Sequence, residues 1–456
     1  MIPRRDFLLG TIASSLFLAQ ARAELVPDDE VRTILKDRID NARQGVGIVA
    51  CAFDADRQKI VTYGRSAAPN DRPLDGDTVF EIGSITKVFT SLLLTEMVTR
   101  GEVALDDPVS KHLPTSVKMP TRNGKQITLL DLATYTSGLP QNFDGLPVNS
   151  DNPYAGYKVE QMYGFLANYK MRFDPGTHYE YSNLGFGLLG HALALRADKS
   201  YEELLLSRVC APLGLEDTRI TLTNSMRERL AQGHLSNLKP TSNWDLPTIA
   251  GAGALRSTAN DLTRFVRATG FAQSGAPLHP AVDLMRNELR PTNDANLRVG
   301  LGYFVSSGNN DSIVWKNGMT GGYTSFAGFS TQLRSGAVVL SNAANLMDDV
   351  GLHLANPAFK IAQYPSEVAV DPAILAAYEG SYVMRPGFAL AIRADSKRLF
   401  VRGTGQPEFE LFAESNDRFF MRFVDAQGTF LRDGDGKVNR LLWHQNGRYQ
   451  YCPRAP

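Results

Sequence analysis

A serine and a lysine stand one helical turn apart in Ser84-Ile-Thr-Lys87, at the head of a long apolar run. The apolar positions Ile85, Val88, Phe89, Leu92, Leu93 and Met97 recur at helical spacing over a wide stripe, and Gly101 supplies a stop just past the end. A helix with so broad an apolar face belongs in the interior of a layered fold, and it takes its lysine inside with it. Residues three apart share a helix face, so an ammonium at position 87 lies beside the hydroxyl at position 84. That hydroxyl is the candidate nucleophile.

The rest of the chain supplies the layers. Residues 46–63 are β-branched and small apolar, broken by Asp54-Ala-Asp56, and predict a two-stranded hairpin. Helix and loop patterns punctuated by Pro and Gly occupy 102–290, and strand-like runs return at 300–306, 312–316, 323–330 and 336–341. This order predicts one sheet whose first and last members are distant in sequence, with a helical region inserted between them. Beyond a linker at 364–370 the texture changes to short strands at 380–384, 389–393, 398–403, 409–412, 418–424 and 439–451. The turns Asp395-Ser-Lys397 and Asp433-Gly-Asp-Gly436 are of hairpin type. Residues 371–456 therefore predict a separate small antiparallel barrel.

Composition narrows the partners. Among 456 residues, Lys plus Arg equals Asp plus Glu at 48 each, with no basic stripe, which removes the electrostatic case for nucleic acid. Small molecules or peptides met in a cleft are the expected partners; oligomeric state is left open. Arg4-Arg5-Asp6-Phe7-Leu8-Leu9, an apolar stretch through Leu18 and Ala21-Arg22-Ala23 predict a twin-arginine export signal over 1–23, cleaved after Ala23, and a periplasmic location. That apolar run is too short to span a bilayer, and no later segment is longer. The expected scheme is thus 1–23 signal, 24–363 main domain, 364–370 linker and 371–456 barrel. Cys51, Cys210 and Cys452 are an odd set in an oxidising compartment, so at least one thiol is left without an intrachain partner. The seven histidines include no HExxH pair, and neither a metal site nor an organic cofactor is expected.

Two further motifs join the first. For the second position there are two candidates, Ser150-Asp151-Asn152 and Tyr181-Ser182-Asn183. Pro153 follows the former in a loop-like run, whereas Tyr181 leads into the apolar run 184–195, so the tyrosine triplet is preferred and Ser150 to Asn152 is assigned to a polar surface turn. A second SxxK, Ser236-Asn-Leu-Lys239, precedes Pro240, which disfavours a helix there. The third element is Lys316-Asn317-Gly318, set between strand-like runs, where glycine permits close approach of a substrate backbone.

These three motifs in this order, with the flanks Val79-Phe-Glu-Ile-Gly83, Leu129-Leu-Asp-Leu-Ala-Thr-Tyr-Thr-Ser-Gly-Leu-Pro140 and Ala250-Gly-Ala-Gly-Ala-Leu-Arg-Ser-Thr258, resemble the class C β-lactamase-related, penicillin-recognising serine hydrolases. Pro120-Thr-Arg-Asn-Gly-Lys-Gln-Ile-Thr128 is similar to the D-alanyl-D-alanine carboxypeptidase/endopeptidase branch. The likeness spans residues 28–350. It implies an α/β (α+β) fold of the β-lactamase/transpeptidase type: an antiparallel sheet with flanking helices, an all-helical subdomain and a cleft between them. Some relatives carry lipocalin-like C-terminal barrels. Two departures stand out, Asn317 in place of the usual Thr and Met319 in place of a Ser or Thr.

The resemblance implies a catalytic set of Ser84, Lys87, Tyr181 and Lys316, with Asn183, Asn317, Gly318 and Met319 binding substrate or stabilising the oxyanion. Ser84 attacks an amide or lactam carbonyl while Lys87 and Tyr181 move its proton, and water hydrolyses the acyl-enzyme. A tyrosine serves as base only if cations depress its pKa, and a unit charge at about 4 Å is worth about three pK units before desolvation. Lys87 and Lys316 are the expected cations, and the backbone N–H groups of Ser84 and Met319 the expected oxyanion donors. The same residues would serve a D-alanyl-D-alanine peptidase, a class C β-lactamase, an esterase or D-aminopeptidase, or a penicillin sensor in which acylation is the endpoint.

Overall fold

The computed structural model describes residues 24–147, 150–287, 289–308, 311–363, 365, 367–404, 408–422, 426–445 and 448–455. The expected export signal lies outside them. Eight antiparallel strands form the main sheet, in the spatial order Gln58–Gly64, Gly47–Phe53, Gly336–Ser341, Thr324–Ser330, Asp311–Met319, Phe304–Gly308, Leu297–Val299 and Arg290–Pro291. The N-terminal hairpin closes directly on the last strand, with Ile48 opposite Ser341 and Phe53 opposite Gly336. Residues almost three hundred apart are neighbours, as the strand, helix, strand order predicts. The two short strands at 290–299 escape the sequence reading because neither is long enough to show alternation.

Both faces of this sheet are covered. Helices Asp28–Lys36 and Asp348–Ala355 cover one face, packing Val31, Leu35, Val350 and Leu354 on Ile48, Val339 and Phe326. Helix Ala259–Gly270 covers the other face, beside the apolar helix Thr86–Thr99, which is buried from Thr86 to Met97. Gly101 ends the latter with φ +71°, its N–H bonded to Val98 O and that of Glu102 to Met97 O, which is the Schellman pattern. A helical region between strands, centred on Asn183–Ala197, packs against the far side of Thr86–Thr99. The lysine-bearing helix is therefore the shared wall of two layers.

The C-terminal unit is an eight-stranded antiparallel meander from Gly380–Arg385 to Arg448–Pro453. It nearly closes on itself, because Tyr382 bridges Arg454 and Ala455 N–H donates to Ser381 O at 2.7 Å. Its core is aromatic: Tyr378 stacks on Phe430 at 4.0 Å, with Phe419 edge-on to both. Two details differ from the sequence reading. The run 439–451 is two strands, Val438–Gln445 and Arg448–Pro453, and Ala426–Arg432 is a further strand whose central Gly428 and flanking polar residues dilute the alternation.

Candidate active site

Ser84 lies in a 3₁₀ turn, Gly83–Ile85, that feeds the helix beginning at Thr86. Sequence periodicity places it in the helix proper. The tighter turn sets it just ahead of the N-terminus, half-buried, with its side chain at the meeting point of two hydrogen bonds. Lys87 Nζ donates to Ser84 Oγ at 2.9 Å, and Tyr181 OH donates to the same oxygen at 2.7 Å. Lys87 also donates to Asn183 Oδ1 at 2.9 Å and to Ala252 O at 2.7 Å. One serine, one lysine, one tyrosine and one asparagine thus converge from two motifs 97 positions apart.

Each of these groups is held from behind. Ser182 caps helix Asn183–Ala197, accepting from Gly185 N–H at 2.8 Å and donating to Pro140 O at 2.7 Å, so Tyr181 and Asn183 project from a fixed helix start. Tyr135 stacks on Tyr181 with centroids 4.9 Å apart, and it does so from the left-handed region at φ +57°. Such strain persists only where the surroundings determine it, here a wholly buried ring in an aromatic cluster with Phe186 and Phe304. Asn142 Oδ1 accepts from Asn183 Nδ2 at 3.2 Å and from Tyr154 OH at 3.1 Å, tying the asparagine to the loop that follows Pro140.

The third motif arrives along strand Asp311–Met319. Its approach is close because two positions lack a side chain: a Cβ on Gly318 would lie 2.0 Å from Ile82 O, and one on Gly83 would lie 2.7 Å from Met319 N. The backbones of the Ser84 turn and of Met319 are therefore in direct contact. Lys316 is 2% exposed and stands over the Tyr181 ring at 5.4 Å and the Phe304 ring at 4.8 Å. Its ammonium donates to Asn317 O at 2.7 Å and Asn317 Oδ1 at 2.9 Å, while Asn317 Nδ2 donates to Asp348 Oδ2 at 2.7 Å. Asn317 is thus the link between a lysine and a buried carboxylate. Gly318 and Met319 complete the strand, the Met319 side chain being exposed.

Burial decides the protonation states. Lys87, at 0% exposure, is held well below the usual lysine range, first by loss of solvent and then by the charge of Lys316. Loss of solvent brings Lys316 down to about 7, partly offset by Asp348, and raises the Asp348 carboxyl. Tyr181 moves the other way from the expected one. The two ammoniums face its ring, Lys87 at 5.0 Å from the centroid, and burial pushes the phenol up despite the bond to Ser84. Burial thus favours the neutral form of both the phenol and the Lys87 amine.

The rejected motifs lie elsewhere. Asn152 Nδ2 donates to Asp245 Oδ2 at 3.0 Å and its Oδ1 accepts from Asp245 N–H at 2.9 Å, a surface tie between two loops. Ser236 to Lys239 form a turn, with Lys239 exposed. Ala252 O, Asn142 and Asp348 were not singled out from sequence; a carbonyl carries no side-chain signal, and the two side chains sit outside any motif. Cys51, Cys210 and Cys452 are all buried and unpaired, with the Cys51 thiol pushed to about 11 by burial.

The profile of the family described as Beta-lactamase matches residues 31–356, well over half of the sequence. The chain belongs to that family. Within it, the chain is similar to D-alanyl-D-alanine-carboxypeptidase/endopeptidase AmpH of Escherichia coli (strain K12), 29% identical over 356 residues that cover 74% of this chain and 91% of that protein. It is also similar to penicillin-binding protein 4* of Bacillus subtilis (strain 168), 24% identical over 87% of this chain and 92% of the relative. Among solved structures, a β-lactamase/D-alanine carboxypeptidase from Pseudomonas syringae shares the Beta-lactamase family fold, with a TM-score of 0.63 at 23% identity over 73% of this chain and 99% of that one. A second profile, a domain of unknown function (DUF3471), matches residues 364–453. No helix among the described residues is long and apolar enough to cross a membrane.

Proposed function

We propose that the chain is an exported serine hydrolase that forms an acyl-enzyme through Ser84 and cleaves amide bonds of D-alanyl-D-alanine-type peptides or β-lactams. The observation that carries this reading is the bonding of Lys87. Asn183 Oδ1 and Ala252 O accept two of its hydrogens, so loss of the third leaves a lone pair directed at Ser84 Oγ, 2.9 Å away. Lys87 then takes the Ser84 proton as the oxygen attacks the carbonyl. Tyr181, kept neutral by burial, donates to the same oxygen and is placed to hand its proton to the departing nitrogen. The backbone N–H groups of Ser84 and Met319, brought together at Gly83, receive the developing oxyanion. Water then releases the acyl group, with Lys87 and Tyr181 exchanging their roles.

Export rests on the twin-arginine segment at 1–23 and fits these substrates, which are met outside the cytoplasm. Intact-mass analysis after penicillin exposure tests the nucleophile. The natural chain gains the mass of one penicillin, Ser84→Ala gains none, and kcat/KM falls by at least about 10⁴-fold in the variant. A mass gain in Ser84→Ala refutes the assignment. Assays with a chromogenic cephalosporin beside a D-Ala-D-Ala peptide then separate peptidase from β-lactamase.

A further inference from the structure

Behind the Ser84 site, on the other side of the Thr86–Thr99 helix start, lies a cavity of about 400 Å³ between the main sheet and helices Ala259–Gly270 and His279–Asn287. Its walls are almost wholly apolar, with Val88, Phe265, Val266, Met285, Val314 and Phe329 among them. Ser84, Lys87 and Tyr181 do not line it, whereas Lys316 of the same site does. A well-packed core leaves few voids larger than a water molecule, and this volume lies within the range of small-molecule sites.

Thr269, Tyr303, Lys316 and Ser330 line it as buried polar side chains, and the more exposed polar groups mark the mouth. Thr331 and Arg334 are exposed and Arg286 is half-buried. Arg334 sits in the left-handed region at φ +54° with its guanidinium over the Phe271 ring at 5.4 Å, and it has no carboxylate partner among the described residues. Arg286 donates to Thr269 O. The nearest acid on its helix, Asp283, is engaged by His279 at 3.1 Å. Burial acts against the Arg286 charge, Asp283 and Tyr303 partly offset it, and Arg334 adds a smaller opposing effect. Two guanidiniums stand at the rim of an apolar chamber, and among the described residues no carboxylate bridges them.

We infer that this cavity is a binding site for an anionic amphiphile, a medium-chain acyl carboxylate whose chain fills the chamber and whose head group bridges Arg286 and Arg334. The chain supplies apolar burial at about 0.8 kcal/mol per methylene, and the forked guanidiniums suit a carboxylate. Ile85 and Val88 line the chamber and flank Ser84 and Lys87, so an occupant presses on the base of the nucleophile turn. Lys316 is shared with the Ser84 site, but binding in the chamber requires no turnover there.

The test uses the full chain and a dansyl-labelled undecanoate as fluorescent probe. Saturable binding of one probe per chain is expected, undiminished in Ser84→Ala and in penicillin-blocked protein, and displaced by dodecanoate at least fivefold better than by dodecanol. Arg334→Glu, at an exposed position that leaves folding intact, weakens binding about fivefold or more, and Arg334→Lys restores most of it. Narrowing the chamber with Val266→Phe lowers affinity without touching the rim. Equal displacement by dodecanol, loss of binding on penicillin blockade, or an unchanged affinity in Arg334→Glu would each overturn the assignment.

Discussion

Both units of this chain have apolar cores, but they differ in how many polar and charged side chains they bury beside them. In the sheet and helix unit, Lys87, Lys316, Glu81, Arg256 and Asn342 are all under a tenth exposed, and Glu81 Oε1 alone accepts from Arg256, Asn243 and the Trp244 N–H. The barrel core is tyrosine, phenylalanine, leucine and tryptophan, with Arg422 as a buried charge at its border, paired to Glu367 at 2.8 Å. Burying an ion is costly unless chemistry or pairing offsets it. The first unit carries the cost of several desolvated charges, whereas the barrel carries mainly one. The contrast sets the proposed site in the unit with the more costly interior.

The sharpest way to break this comparison is to remove one desolvated charge. Lys87→Met keeps the length and apolar stem, so kcat/KM falls by about 10² to 10⁴-fold while the thermal midpoint holds or rises. A midpoint that drops steeply would show the lysine to be structural. The converse change is Phe430→Ala, which empties the barrel's stacked centre. It lowers unfolding free energy by about 3 to 5 kcal/mol and leaves kcat/KM of the folded enzyme unchanged; a parallel loss of activity would mean that the barrel shapes the cleft.

A smaller effect sharpens the same contrast through pH. Lys87 is held below the ordinary lysine value, so across the interval between the two values the unfolded chain binds a proton there that the folded chain does not. Stability therefore rises with pH in that interval, by up to about 1.4 kcal/mol per pH unit, and the contribution is complete above the unfolded value. Urea titrations at neutral and alkaline pH should show a steeper rise for the natural chain than for Lys87→Met. The acid limb of kcat/KM should follow the same group, rising as Lys87 loses its proton.

How far the sequence alone reaches follows from what each feature depends on. Ser84 with Lys87 is legible because helical spacing is local, and Tyr181 because the apolar run after it announces a helix, whereas Pro153 follows the rival triplet. The barrel is legible from its turns. The direction of the Tyr181 shift was not, since it depends on which side of the ring the ammoniums occupy and on how completely the phenol is enclosed. Asp348 escaped for a similar reason: only the fold brings the start of a distant helix to Asn317. Short edge strands such as Arg290–Pro291 exist through pairing and leave no periodic trace.

Ile82 O and Met319 N sit where a single methyl group on Gly318 or Gly83 would collide with them. The gap across which a carbonyl would be gripped is thus set by two hydrogen atoms rather than by adjustable side chains. Widening this enzyme's tolerance by loosening that seam is closed to ordinary substitution, because any L-residue there pries the strand away from the turn. Room for bulkier substrates has to be made with side chains, such as Asn142 and Tyr154 in the loop after Pro140, and not with the backbone of that seam.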